Sequence, residues 1–357
     1  MTNLKIHNCI FATLSSLGVV MSSHAMADDT LYASSHAPIS IMGDHMHEKG
    51  EWMVSYRFMS MSMSGNLNGR DDISDEEIVT TVENRFGTPP TLRVVPQDMT
   101  TDMHMLGAMY APNDNFTLMA MLPYIDKDMR LTTYQGVAGA NVLGDFNSKA
   151  SGVGDLKVGS LIRVFDDNTH HVHVNAMVSL PTGSIDESGS VLAPTGATIA
   201  SRLPYAMQLG SGTYDLMPGI TYTGKSNSLT WGAQYSGTFR QGDNSEGYTL
   251  GDENKVNLWW QYEFVPSFSA SAGLEYFDSD SIDGIDDAIA LPVQTADPDN
   301  YGRTVHSLKV GVNWVQQQGA LRNTRVALEY SKPIKQEVNG IQMEMDNMWT
   351  FGLQRAF

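Results

Sequence analysis

Two residue types with ligand chemistry stand together near the N-terminus. His36 is followed at short range by Met42-Gly43-Asp44-His45-Met46-His47, and Met59, Met61 and Met63 then recur at every second position. Of the 22 methionines in the chain, 13 fall between Met42 and Met129. Thioether and imidazole together are the ligand set of Cu(I), which makes His36, Met42, His45, Met46 and His47 candidate copper ligands. Flexible, polarisable methionines also suit the lining of an adaptable apolar pocket, the commoner use of this side chain. His170, His171 and His173 form a second group. Only His171 and His173 share a face of an extended chain there, and no third ligand stands at fixed spacing, so zinc is not expected at that place. Beyond Cu(I), no cofactor is implied.

Methionines at every second position need a strand to align them. Trp52, Val54, Tyr56 and Phe58 occupy one face of such a strand, with Met53, Arg57, Met59, Met61 and Met63 on the other. The same period of two predicts strands over 51–63, 101–111, 115–133, 153–165, 169–180, 211–223, 228–241, 252–265, 267–278, 304–316, 322–332 and 347–357. Short turns alternate with long loops from one strand to the next. The long connections are 64–100, 134–152, 181–210, 242–251, 279–303 and 333–346. The expected fold class is therefore all-β: an antiparallel up-and-down transmembrane barrel of about 12 strands with short periplasmic turns and long extracellular loops.

Alternation alone does not say which face meets lipid. Aromatics decide it, because Tyr110, Phe116, Tyr222, Trp231, Phe264, Phe268, Trp314 and Phe357 lie on the apolar face near short turns, where they would form an interfacial girdle. The opposite face then lines the lumen, and Met53, Arg57, Met59, Met61, Met63, Met103, Met105, Met109, Met119, Met121, Lys157 and Arg163 are its candidate substrate-binding residues. Further along, Arg240, Lys255, Lys309, Arg325 and Arg355 oppose Asp215, Glu263, Glu275 and Glu329. Such a wall either selects by charge or pairs its charges across neighbouring strands, and pairing is the stronger expectation.

Lys5, an apolar run to Met21 and Ala25-Met26-Ala27 read as a secretory signal peptide over 1–27. The only cysteine, Cys9, lies within it, so no disulfide is expected. Residues 28–50 form a Met/His-rich N-terminal segment, read as a plug or as a loose periplasmic tail, and 51–357 form the barrel. The 40 acidic residues against 22 basic give a formal charge of −18, which argues against nucleic acid as a partner. No Ser elbow, His-Glu helix motif, phosphate cradle or catalytic thiol is present, so the chain is not read as an enzyme.

Gly152-Val153-Gly154-Asp155-Leu156-Lys157-Val158-Gly159, Leu180-Pro181-Thr182-Gly183-Ser184 and Gly210-Ser211-Gly212-Thr213-Tyr214-Asp215 resemble motifs of the outer-membrane family named for the meta-pathway of phenol degradation. The resemblance spans roughly 150 to 330 and implies a channel or binding barrel for small aromatic compounds, without catalytic residues. A C-terminal strand ending at Phe357 is similar to the signal read by the barrel assembly machinery, although Arg355 departs from that pattern. The expected function is an outer-membrane channel or transporter for small apolar or aromatic molecules in a Gram-negative bacterium. Its expected partners are outer-membrane lipid, the assembly machinery and a small-molecule substrate. The alternatives are a copper-binding barrel and a structural or adhesive barrel acting through acidic loops.

Overall fold

The computed structural model describes residues 31–357, so the expected signal peptide and residues 28–30 lie outside the described residues. The barrel strands are β1 (Trp52–Asn68), β2 (Val94–Asn113), β3 (Phe116–Tyr134), β4 in two pieces (Val142–Val153 and Leu156–Asp166), β5 (His170–Leu180), β6 (Tyr214–Ser226), β7 (Leu229–Gln241), β8 (Glu253–Val265), β9 (Phe268–Ser279), β10 (Arg303–Val315), β11 (Thr324–Val338) and β12 (Ile341–Ala356). Each pairs antiparallel with its neighbours in sequence, and β12 returns to β1 from Met53↔Ala356 to Asn68↔Ile341. The result is a closed barrel of 12 strands, as the alternation predicts.

Its outer surface is the apolar face. Val54, Leu106, Leu118, Leu258, Trp260, Val310, Leu328 and Trp349 are all exposed on it. Near the short turns Trp52 stacks on Tyr110 with ring centroids 4.3 Å apart, and Phe264 lies 6.0 Å from Phe268. Among the described residues no helix is long and apolar enough to cross a membrane.

Two segments expected to be loops are largely strand. Val142–Val153 pairs with the upper half of β3, and β11 and β12 continue to a tight turn at Asn339-Gly340, where Gly340 has φ of 57°. The hairpins run on past the membrane belt. There the ladder persists while apolar alternation gives way to ion pairs such as Lys149–Asp128 at 2.5 Å and Arg130–Asp98 at 2.5 Å. A pattern search keyed to lipid-facing residues stops at the water interface, whereas backbone pairing does not. The long connection after β1 is also shorter than expected and contains a helix, Asp75–Thr81, whose Ser74 cap accepts from the Glu77 amide.

The remaining long connections turn inward at the long-loop rim. Leu203, Tyr205, Met207, Leu209, Tyr248, Ile282, Ile289 and Val293 are buried against Met99, Ile125, Met129 and Met343 of the wall. This apolar cluster covers the barrel mouth.

If the outer face meets hydrocarbon, a cation placed there is costly. Val310→Arg should destabilise the barrel by about 2–4 kcal/mol, the penalty for a cation near the bilayer midplane. Urea unfolding in lipid vesicles measures this, and a loss below 0.5 kcal/mol (roughly the scatter of surface substitutions) would contradict a lipid-facing Val310.

Candidate functional site

Residues 31–50 run through the short-turn end of the lumen, and the inward side chains of the wall receive them. Arg325 donates to the Tyr32 carbonyl (3.0 Å) and to Ser35 Oγ (2.7 Å), and Ser34 Oγ donates to Glu263 (2.5 Å). On the opposite wall His173 Nε2 and Asn175 Nδ2 converge on the Gly43 carbonyl at 2.8 and 3.1 Å, and Gln234 donates to that of Met42 at 2.9 Å. Lys309 bridges Ser40 Oγ (3.0 Å), Asn257 (3.1 Å) and Glu275 (2.6 Å). Where the segment leaves for β1, the Gly50 amide donates to Ala111 at 2.7 Å.

The candidate metal ligands divide between two surroundings. Met42 and Met46 pack against a methionine cluster on the wall. His36, His45 and His47 instead draw together, with ring centroids 3.7 Å apart for His36 and His45 and 4.8 Å for His45 and His47. Asp44 joins them, its carboxylate 3.0 Å from His45 Nδ1 and accepting from the Ala37 amide at 2.7 Å. Burial would raise the Asp44 carboxyl, but His45, Arg57 and the Ala37 amide outweigh it and hold the group at about 2. Burial, reinforced by Arg325, pushes His36 well below the ordinary imidazole value, and burial lowers His47 as well. The group borders a cavity of about 610 Å³ at the short-turn rim, lined in part by Asp44, His45, Arg163 and His171.

Above the segment the wall is sulfur-rich. Met53, Met105, Met109, Met119 and Met121 form one buried cluster with Leu161 and Met177, and Met59 and Met103 pack at its edge. Met103 and Met105 continue into a cavity of about 280 Å³ with Ile125, Leu209, Met217 and Leu250, where Lys127, Lys157, Asp215 and Arg240 supply the polar groups. Met61 and Met63 line a second cavity of about 180 Å³ with Met99, Met129 and Met343. Lys127 borders both cavities and donates to the Ala206 and Gln208 carbonyls at 2.8 and 2.6 Å. The sequence reading missed it, although its odd number, the parity of Met121 and Met129, is the signal that places it on the inward face.

Several wall charges pair. Arg240 meets Asp215 at 2.5 Å and Glu253 at 2.9 Å, Lys309 meets Glu275, and Arg163 pairs with Asp166 at the short-turn rim. Arg57 is buried in the wall and borders a small cleft with Asp44.

The three glycine motifs are far apart in sequence and meet at one point. Asp155 accepts from the Gly183 amide (2.9 Å), the Ser211 amide (2.8 Å) and Ser211 Oγ (3.1 Å). Asp215 accepts from Thr213 Oγ1 at 2.6 Å and from Ser211 Oγ at 3.1 Å. Gly183 and Gly210 touch backbone to backbone, and a Cβ on either would stand 2.6 to 2.7 Å from the other. At this junction β4 carries three residues opposite two of β3, between Met121↔Lys157 and Tyr124↔Val153. The bulge turns the strand and presents Asp155 to the loops.

Asp155→Ala would leave the buried Ser211 amide and the half-buried Gly183 amide without acceptors. Bonds to a charged group are worth about 1.5–3 kcal/mol each, so the loops 181–213 should become sensitive to protease while the barrel stays folded. Deleting residues 31–50 should convert a closed or weakly conducting barrel into one with a steady conductance step in planar bilayers. Equal conductance with and without the segment would mean that it does not obstruct the lumen.

The family described as "Putative MetA-pathway of phenol degradation" matches residues 83–319. No curated protein matches the chain by sequence. Among solved structures, an outer-membrane channel from Pseudomonas putida F1 is similar at 13% identity and a TM-score of 0.56, covering 89% of this chain and 99% of that one. The P. putida toluene transporter TodX aligns at 11% identity and a TM-score of 0.48, over 87% of this chain and 91% of that one. A Pseudomonas aeruginosa FadL homologue aligns at 9% identity and 0.47, over 92% and 98%. With the family matched over most of its length and the barrel closed, this chain is an outer-membrane β-barrel belonging to the family described for the MetA pathway of phenol degradation.

Proposed function

We propose that the protein is a channel, not a catalyst, and that it passes small, mostly apolar or aromatic molecules. The observation that carries this reading is the 280 Å³ cavity between the wall and the inward-folded loops, bounded by Met103, Met105, Ile125, Leu209, Met217 and Leu250. Small-molecule sites span about 300–1,000 Å³, so a cavity near the lower limit suits a single small ring better than an oligosaccharide. Thioethers adapt their shape to different rings without leaving a polar group unpaired. Lys127, Lys157 and Arg240 offer donors to a hydroxyl or carboxylate on such a molecule. The similar channel from P. putida F1 and the family description agree with this reading. The segment 31–50 acts in it as a plug, and substrate passage requires that it or the loop cover yield.

Uptake of radiolabelled phenol or toluene into proteoliposomes tests the proposal. Met103→Trp should fill the cavity and lower the rate severalfold, while Met103→Leu, which keeps volume and apolarity, should leave it close to the parent. A parent rate equal to that of empty vesicles, or equal rates for the Trp and Leu variants, would count against this site.

A further inference from the structure

The His-Asp group on the N-terminal segment takes no part in the apolar cavity, and its own geometry has a different use. We propose that His36, Asp44 and His45, with His47 as the fourth donor, bind one divalent transition-metal ion such as Zn²⁺ or Ni²⁺, which staples the segment into its bend inside the barrel.

One ligand atom from each of His36, Asp44 and His45 lies within 4.8 Å of the other two. Zinc holds nitrogen and oxygen donors at about 2.0–2.1 Å, which places tetrahedral donors about 3.4 Å apart, so side-chain rotations of about an ångström complete the shell. A second observation points to the same place. His47 is 4% exposed and its Nε2 is buried without a hydrogen-bond partner, and so is Nε2 of His45, whose Nδ1 faces the Asp44 carboxylate. An unpartnered imidazole nitrogen in the interior is costly, and coordination removes that cost.

The outer partners are also those of a metal site. His47 Nδ1 faces Glu51 Oε2 at 3.3 Å, and His36 Nδ1 faces Gln354 Oε1 at 3.3 Å. Fixing one ring nitrogen by an oxygen acceptor is how ligating histidines are oriented, with the other nitrogen turned to the metal. The donors that gather here are imidazole and carboxylate, while Met42 and Met46 pack against the methionine cluster. That set favours borderline divalent ions over Cu(I), whose preference is for sulfur. A single carboxylate among imidazoles works against Ca²⁺ and Mg²⁺, which need an oxygen-rich, anionic site. The 610 Å³ cavity beside His45 gives an ion a path from the short-turn side.

The test uses the intact barrel in detergent, stripped with a chelator and titrated with Zn²⁺ by calorimetry. One saturable ion per chain is expected. His36→Gln with His45→Gln should abolish binding, Glu51→Gln should weaken it by about 10–100-fold as loss of an outer-shell partner does, and Met42→Leu with Met46→Leu should leave it unchanged. The boiled and unboiled gel mobilities of each variant confirm folding, and Asp44→Asn provides a second, isosteric variant expected to weaken binding. Hydrogen exchange over residues 36–47 should slow on adding Zn²⁺ to the parent and not to the histidine double variant. No saturable Zn²⁺ binding in the parent, or binding that survives the histidine substitutions and so belongs to the acidic loops, would overturn the proposal. So would a loss on methionine replacement as large as that on histidine replacement.

Discussion

Inside lipid a backbone amide or carbonyl has no water to turn to, so every one must be met by protein. The twelve strands meet this constraint by closing on themselves through β1 and β12. The irregular segment 31–50 inside the barrel cannot meet it in that way, because it makes no ladder. Its carbonyls are served instead by wall side chains: Arg325 at Tyr32, Gln234 at Met42, and His173 with Asn175 at Gly43. Many inward polar residues are thereby explained as partners of a non-repetitive backbone.

The division of labour among the methionines follows from the same packing. A segment without regular structure presents an uneven surface, and the wall opposite it must fill uneven gaps. Met53, Met109, Met119 and Met121 do so around Met42 and Met46, and farther along the lumen Met61, Met63 and Met103 face open cavity. One residue type serves both as filler and as pore lining because an unbranched thioether suits either surrounding.

Strand number, strand order and the inward face were legible in the sequence because lipid on one side and a polar lumen on the other force a strict period of two. The strand extensions at Val142–Val153 and beyond Lys332 were not, since above the membrane both faces meet water and the alternation fades. Of the site, the inward methionines could be read from their parity. The convergence of Gly183, Gly210 and Asp155 could not, because it joins three motifs by tertiary contact alone. The split of His36, His45 and His47 from Met42 and Met46 was equally hidden: an irregular segment has no period from which a side chain's direction can be inferred.

The seam between β1 and β12 also sets an order of events. Trp52 and Phe357 exchange backbone hydrogen bonds at 3.2 and 2.7 Å, so the first strand of the barrel waits for the last to be made before the wall is complete. Contacts this distant in sequence form slowly, because a long loop of chain must close before they are rewarded. Residues 31–50 lead directly into β1 and finish on the inside. They must already lie within the curling sheet when the seam shuts, or else thread in afterwards from the short-turn side. Assembly of this barrel is therefore a problem of timing as well as of pairing, with the N-terminal segment in the position of a cork set before the last stave.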